Sequence, residues 1–463
     1  MSNKIYPIGI QNFEKIRNDG YFYIDKTALM YQMVKTGSYY FLSRPRRFGK
    51  SLLISTLEAY FQGKKELFEG LAVEKLEKDW IKHPILHLDL NIEKYDTPES
   101  LDKILNDNLE YWESQYGTRP SETSFSLRFA GIIQRACEKT GQRVVILVDE
   151  YDKPMLQAIG NEELQKQFRN TLKPFYGALK TKDGYIKFAL LTGVTKFGKV
   201  SVFSDLNNLD DISMWNEYVE ICGVSEREIH ENLEAELHEF AAARGITYDK
   251  LCEDLRECYD GYHFTHNSIG MYNPFSLLNA FKRKEFGSYW FETGTPTYLV
   301  KLLKKHHYDL ERMAHEETDV QVLNSIDSES TNPIPVIYQS GYLTIKGYDE
   351  EFGMYRLGFP NREVEEGFIR FLLPFYANVN KVESPFEIQK FVREVRSGDY
   401  NSFFRRLQSF FADTTYEVIR DQELHYENVL FIVFKLLGFY TKVEYHTSEG
   451  LSLIHISEPT RPY

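Results

Sequence analysis

Cysteine is scarce. Only Cys137, Cys222, Cys252 and Cys258 occur in 463 residues. No Cys-x-x-Cys pair exists, and Cys252 and Cys258 have no histidines at metal-ligand spacing. A zinc site and a disulfide scaffold are therefore excluded, and buried, reduced thiols are expected. Long hydrophobic runs are missing too. No stretch approaches the roughly 20 apolar residues a membrane helix needs, and residues 1–9 hold no apolar signal-peptide core. A cytoplasmic protein without a membrane partner is expected. Positive charge is in deficit: 55 Lys and Arg face 68 Asp and Glu, for a formal net charge of −13. Coating nucleic acid needs a basic surface, so that class is disfavoured. One local concentration, Arg44, Arg46, Arg47 and Lys50, runs against the balance. No internal repeat or low-complexity tract interrupts the chain.

What is present reads as globular: 42% hydrophobic, 27% charged and 15% aromatic residues, enough for large, well-filled cores. The length suggests two to four domains. Short apolar strands alternate with helical patterns in the first part, at 39–42, 85–90, 144–148 and 188–191. The run Val144-Val145-Ile146-Leu147-Val148 is continuous and β-branched, as suits a central parallel strand buried on both faces. Strands separated by helices predict an α/β layer with a parallel sheet. Past Cys222 the texture turns helical, opening on Ser225-x-x-Glu228, a capping-box pattern. Residues 337–357 predict a small hairpin, and with the helices before it a winged-helix-like accessory domain. The polar stretch 316–332 predicts a surface loop. A third, mainly helical region begins at Asn361.

Two segments carry chemistry. Arg44-Pro45-Arg46-Arg47-Phe48-Gly49-Lys50-Ser51 lies between a strand and a helix. A helix N-terminus offers free N–H groups and partial positive charge to phosphate. In that context Gly49 permits close backbone approach, Lys50 reaches the β- and γ-phosphates, and the Ser51 hydroxyl ligates Mg²⁺. The usual loop begins with Gly; Arg44 stands there instead, and Pro45 biases it towards extended geometry. The arginines have three readings: phosphate neutralisation, salt bridges that hold the loop, or an arginine finger. The second segment is Asp149-Glu150, directly after the 144–148 strand. Asp149 suits the Mg²⁺ shell, and Glu150 suits orienting or deprotonating water. Thr192, ending the 188–191 strand, is positioned to sense the γ-phosphate or that water. The expected site is therefore Arg46, Arg47, Phe48, Gly49, Lys50 and Ser51 for nucleotide, Ser51 and Asp149 for metal, and Glu150, Lys50 and Thr192 for catalysis.

These strings, with Gly20-Tyr21-Phe22-Tyr23-Ile24-Asp25-Lys26-Thr27, Tyr259-Asp260-Gly261-Tyr262-His263-Phe264, Tyr272-Asn273-Pro274-Phe275-Ser276 and Gln339-Ser340-Gly341-Tyr342-Leu343-Thr344-Ile345, resemble a bacterial AAA-ATPase-like family whose members carry a C-terminal nuclease domain of the PD-(D/E)XK superfamily. The resemblance implies an additional-strand P-loop ATPase domain over 1–222, a helical, winged-helix-like domain over 223–360, and an α/β nuclease-like domain over 361–450. ATP and Mg²⁺ would be bound, nucleic acid would be a partner of the full-length protein, and homo-oligomers are compatible with the class. It assigns no chemistry to Asp25 or Lys26. The chain departs from this pattern at its end. A nuclease needs a metal-binding Asp followed by Glu-x-Lys, and residues 451–463 contain neither. That tail reads as non-native sequence, so the nuclease-like domain is truncated and no nuclease activity is expected. The leading expectation is a Mg-dependent ATPase that in full-length form regulates an attached nuclease. The alternative is an ATP-dependent assembly switch with little turnover.

Overall fold

The computed structural model of the chain describes residues 4–196, 206, 208–292, 297–324, 332–377, 384–411, 419–438, 440–447 and 450–457. Strands β1 (Tyr39–Ser43), β2 (Ile85–Asp89), β3 (Val144–Asp149), β4 (Ile186–Gly193) and β5 (Asp210–Asp211) form one parallel sheet, ordered β2-β3-β4-β1-β5. β4 is thus inserted between the strand that feeds the phosphate loop and the strand that ends in Asp149. The carboxyl ends of all three come together on one edge.

Alternation along the strands divides two cores. Tyr40, Leu42, Val145, Leu147, Phe188 and Leu190 face one side, with Leu53, Ile54, Leu57 and Phe61 of the helix Lys50–Phe61. Tyr39, Phe41, Leu86, Val144, Ile146, Val148 and Leu191 face the other, beneath the helices Pro98–Tyr116, Phe125–Thr140 and Glu162–Thr181. Every residue of β3 is buried, which is why its sequence is an unbroken apolar run. Each such side chain contributes about 1.5–3 kcal/mol on burial.

The remaining strands form sheets of two or three strands. β6 (Val224–Ser225) pairs with β7 (Met271–Tyr272). β8 (Glu317–Thr318), β9 (Thr344–Asp349) and β10 (Met354–Gly358) make an antiparallel sheet with β10 central. β11 (Tyr440–Thr447) pairs with β12 (Gly450–Ser457). The expected capping box is present: Ser225 accepts from Glu228 N, and Glu228 accepts from Ser225 N, at the start of the helix Glu226–Arg244. Among the described residues no helix is long and apolar enough to cross a membrane.

Three expectations need correction. The stretch 316–332 is not a plain loop where it is described: it forms β8 and the helix Val320–Asn324, because Asp319 caps the helix through Val322 N and Leu323 is fully buried. Its residues 325–331 lie outside the described residues. The hairpin begins at Thr344 rather than at 337, because the helix Ile334–Gln339 occupies the start of that stretch and runs into a turn. Of the four free cysteines only Cys222 is buried; Cys137, Cys252 and Cys258 are half-buried.

The expected boundary positions at 222 and 360 fall inside one contiguous apolar cluster that extends from Phe13 to Phe434. Residues 451–457, within the stretch expected to be non-native, form β12 against β11; residues 458–463 lie outside the described residues.

Candidate nucleotide-binding and catalytic site

The phosphate loop starts where β1 ends. Arg44, in place of the usual glycine, is 2% exposed and serves as an anchor. Its guanidinium donates to the carbonyls of Ser43 (2.9 Å), Ser213 (2.8 Å) and Tyr218 (3.0 Å) and lies 3.9 Å over the Phe264 ring. Burial pulls its pKa down to about 10, so it stays charged. An arginine finger is ruled out at this position: the side chain is committed to backbone. Phe48 is likewise buried, edge-on to Tyr262 and Phe264. Gly49, at φ 97°, caps the helix Lys50–Phe61 in a left-handed conformation that favours glycine.

Lys50 Nζ donates to the carbonyls of Arg44 (3.1 Å) and Pro45 (3.3 Å) and stands 3.6 Å from Glu150 Oε1. Thus the loop and the acidic turn meet over the end of β4, the strand between β1 and β3. Asp149 is 5% exposed, and its Oδ1 accepts from Thr192 Oγ1 (2.6 Å) and Glu150 N (3.1 Å). Glu150 has φ 53°, a strained conformation for a non-glycine residue. Burial raises its carboxyl to about 7; Lys50 opposes the rise, and Asp152 and Asp149 add to it. Asp152, fully buried, accepts from Thr195 N and Oγ1 at 2.6 Å and orders the turn after β4. Burial raises its pKa as well.

A cavity of about 650 Å³ opens over this constellation. Arg46, Arg47, Lys50 and Lys153 supply four cationic side chains to its wall, against the single carboxylate of Glu150. Such a wall concentrates anions in a protein whose overall charge is negative. Ser51 lines it too. Pro7, Pro274, Phe275 and Leu278 close it from the N-terminal segment and from the helix Pro274–Arg283. Beside it lies a slot of about 110 Å³, walled by Phe22, Ile24, Met30, Leu53 and Cys222 and sharing Pro7, Gly49, Leu52, Pro274 and Leu278 with the larger cavity.

Of the expected site residues, Arg46, Arg47, Gly49, Lys50, Ser51 and Glu150 line the cavity. Phe48, Asp149 and Thr192 do not. Phe48 is buried and lines the adjoining slot instead, and Thr192 sits behind Asp149 with its hydroxyl on that carboxylate. The Thr192 hydroxyl thus holds the Asp149 carboxylate.

Several motifs now have places. Asn273 caps the helix Pro274–Arg283, accepting from Phe275 N and Ser276 N, and this sets Phe275 5.2 Å beneath the Arg47 guanidinium. Gly341, at φ 87°, packs where a Cβ would come within 2.6 Å of Pro45 Cβ. Asp25 accepts from Thr27 N and Oγ1 at the start of the helix Thr27–Thr36 and from Ala72 N, while Lys26 pairs with Glu228 at 2.5 Å. Sequence reasoning missed Pro7, Lys153 and Trp290. Lys153 lies three residues after Glu150, at the start of the helix Lys153–Gln157, whereas Pro7 and Trp290 reach the loop only through long-range packing.

Residues 7–203 match the family described as AAA-ATPase_like, a predicted AAA-ATPase. An uncharacterized protein in the vnfD 5′ region of Azotobacter chroococcum mcd 1 is 35% identical over 464 residues, covering 97% of this chain and 86% of that protein. The chain belongs to the AAA-ATPase-like family. Its parallel five-stranded sheet with the loop at the end of β1 is a P-loop NTPase fold. A solved structure of the Aeropyrum pernix ORC2 protein in ADPNP–ADP complexes aligns over 72% of this chain and 87% of that one, at 9% identity and a TM-score of 0.27, a likeness too loose to inform function.

The fit of Mg²⁺ to this AAA-ATPase-like site can be judged from the donors. Among the described residues no group of three or more His, Cys, Asp or Glu could hold a metal alone. Ser51 and Asp149 supply hard oxygens, and Mg²⁺ is commonly held by one or two protein oxygens together with substrate phosphates. The residues fit an ion that arrives with the nucleotide.

Proposed function

We propose that the chain binds Mg-ATP in the 650 Å³ cavity and hydrolyses it. The observation that carries this reading is the approach of Lys50 to Glu150, 3.6 Å apart, at the ends of two strands on either side of β4. The triphosphate lies against the loop N–H groups, Lys50 and the arginines. The base enters the adjoining apolar slot. Ser51 and Asp149 would hold Mg²⁺, which would neutralise charge on the phosphates.

Thr192 holds Asp149 in place by its 2.6 Å hydrogen bond. Glu150 orients a water molecule. The water oxygen bonds to the γ-phosphorus as the bond to the β–γ bridging oxygen breaks, and ADP leaves with that electron pair. The water proton passes to Glu150 and then to solvent, giving ADP, inorganic phosphate and a proton.

In the same reading, residues 361–450 are a nuclease-like module that the ATPase regulates. Its supports are the family resemblance and the packing of this region on the rest, where Asn428 holds Leu310 N and the Tyr308 carbonyl.

Titration calorimetry tests the nucleotide site. Mg-ATP should bind the wild-type chain with a one-to-one stoichiometry, and Lys50→Ala should weaken it at least ~10-fold by removing a charge-assisted phosphate contact. No heat with wild-type protein under conditions that detect micromolar binding would refute the reading.

A further inference from the structure

The three arginines of the phosphate loop have separate surroundings. Arg44 is spent on three backbone carbonyls. Arg47 is exposed, at φ 66°, over Phe275. Arg46 is neither anchored nor free. Its guanidinium lies 4.6 Å from the Trp290 ring centroid, and Nη2 reaches the Tyr342 hydroxyl at 3.3 Å, a long hydrogen bond. Its Nε is buried and has no hydrogen-bond partner. The same residue lines the phosphate cavity. Trp290 also grips the backbone here, donating from Nε1 to the Arg46 carbonyl at 3.0 Å.

Resting on the ATP reading above, we propose that Arg46 is a catalytic arginine supplied in cis, which leaves Trp290 and Tyr342 to bind the terminal phosphate of ATP. A guanidinium carries five donors in a planar fork matched to phosphate oxygens. In its present position that fork makes one long hydrogen bond and a stacking contact, and it leaves a buried N–H unsatisfied. A γ-phosphate in the cavity offers what the platform does not. ADP lacks that group and leaves Arg46 on the indole.

The platform belongs to the second region of the chain. Trp290 lies on the helix Tyr289–Glu292, and Tyr342 precedes β9. Trp290 N in turn donates to Glu363 of the helix Arg362–Tyr376. Lifting Arg46 off Trp290 therefore carries the state of the γ-phosphate to the packing between the P-loop sheet and these two helices. This gives one residue two effects: charge stabilisation in the transition state and a signal of nucleotide state.

Intrinsic fluorescence tests the proposal on the full chain. Adding a non-hydrolysable ATP analogue should change the Trp290 signal, taken as the difference between wild type and Trp290→Phe, while saturating Mg-ADP should not. Arg46→Ala should lose this response and bind Mg-ADP within ~3-fold of wild type. Its single-turnover cleavage of ATP should fall ~10²-fold or more, towards the effect of a removed arginine finger, and Arg46→Lys should recover only part of it. Tyr342→Phe, which removes only the hydroxyl, should raise affinity for the ATP analogue relative to ADP, and it keeps the test open if Arg46→Ala misfolds. Equal Trp290 responses to ADP and the analogue, or cleavage by Arg46→Ala within ~3-fold of wild type, would overturn the assignment of Arg46 alone. Absence of any nucleotide binding by wild type would overturn the ATP reading and this one together.

Discussion

Replacing Glu150 by Gln should stabilise the nucleotide-free protein at alkaline pH while removing turnover. The Glu150 carboxyl is raised from the ordinary 4.5 to about 7, chiefly by burial. A raised pKa means that the fold favours the protonated form. Its contribution to stability is therefore fully present below about pH 4.5 and is lost as pH rises through about 7. At 1.36 kcal/mol per pH unit, the full rise corresponds to about 3 kcal/mol. The side chain is 21% exposed, so water recovers part of this, leaving on the order of 2 kcal/mol. Glutamine keeps the shape and removes the ionisation. Urea unfolding of both proteins at pH 5, 6, 7 and 8 should show Glu150→Gln more stable by that amount at pH 8, with the gap closing towards pH 5. Wild-type turnover should rise over the same interval, because only the carboxylate can accept the proton from water. A gap that is absent, or equal at pH 5 and pH 8, would refute the account of Glu150 as a carboxylate held in an unfavourable site.

Other substitutions probe the support of the site. Thr192→Val removes the hydrogen bond to Asp149 and should cost about 1.5–3 kcal/mol in urea unfolding; it should also raise the Mg²⁺ concentration needed for half-maximal turnover, whereas a Thr192 that only touched phosphate would leave that midpoint unmoved. Gly341→Ala pushes a Cβ into Pro45 at φ 87° and should cost about 1–3 kcal/mol, with weaker Mg-ATP binding by calorimetry because the loop is displaced. Cys222→Trp overfills the apolar slot; ATP and ADP should both bind at least ~10-fold more weakly while inorganic triphosphate binding is retained, and an unchanged ATP affinity would place the base elsewhere.

The parts of this site that could be read from sequence are those whose physics is local. β3 declares itself because burial on both faces leaves no polar residue until Asp149. The loop declares itself because Gly49 and Lys50 must sit at a strand-to-helix turn. Ser225 and Glu228 satisfy each other's backbone within four residues. The rest depends on distant chain. Arg44 looked available until Ser213, Tyr218 and Phe264 surrounded it. Thr192 stands at the right strand end, but its hydroxyl turns to Asp149, a choice of rotamer that no spacing encodes. Trp290 and Tyr342 lie some 240 to 300 residues from the loop they touch. The stretch around Leu323 is polar in composition, and one capped turn with one buried side chain was enough to make it helical.

The central claim is that Lys50 and Glu150 face each other across a working ATP site. Its most direct measurement is release of inorganic phosphate from ATP in a single turnover, with bound nucleotide counted in the same samples. The account predicts release by wild type, bound but uncleaved ATP in Glu150→Gln, and at least ~10-fold weaker binding with no release in Lys50→Ala. Phosphate release by Lys50→Ala at the wild-type rate, or no bound ATP in Glu150→Gln, would contradict it.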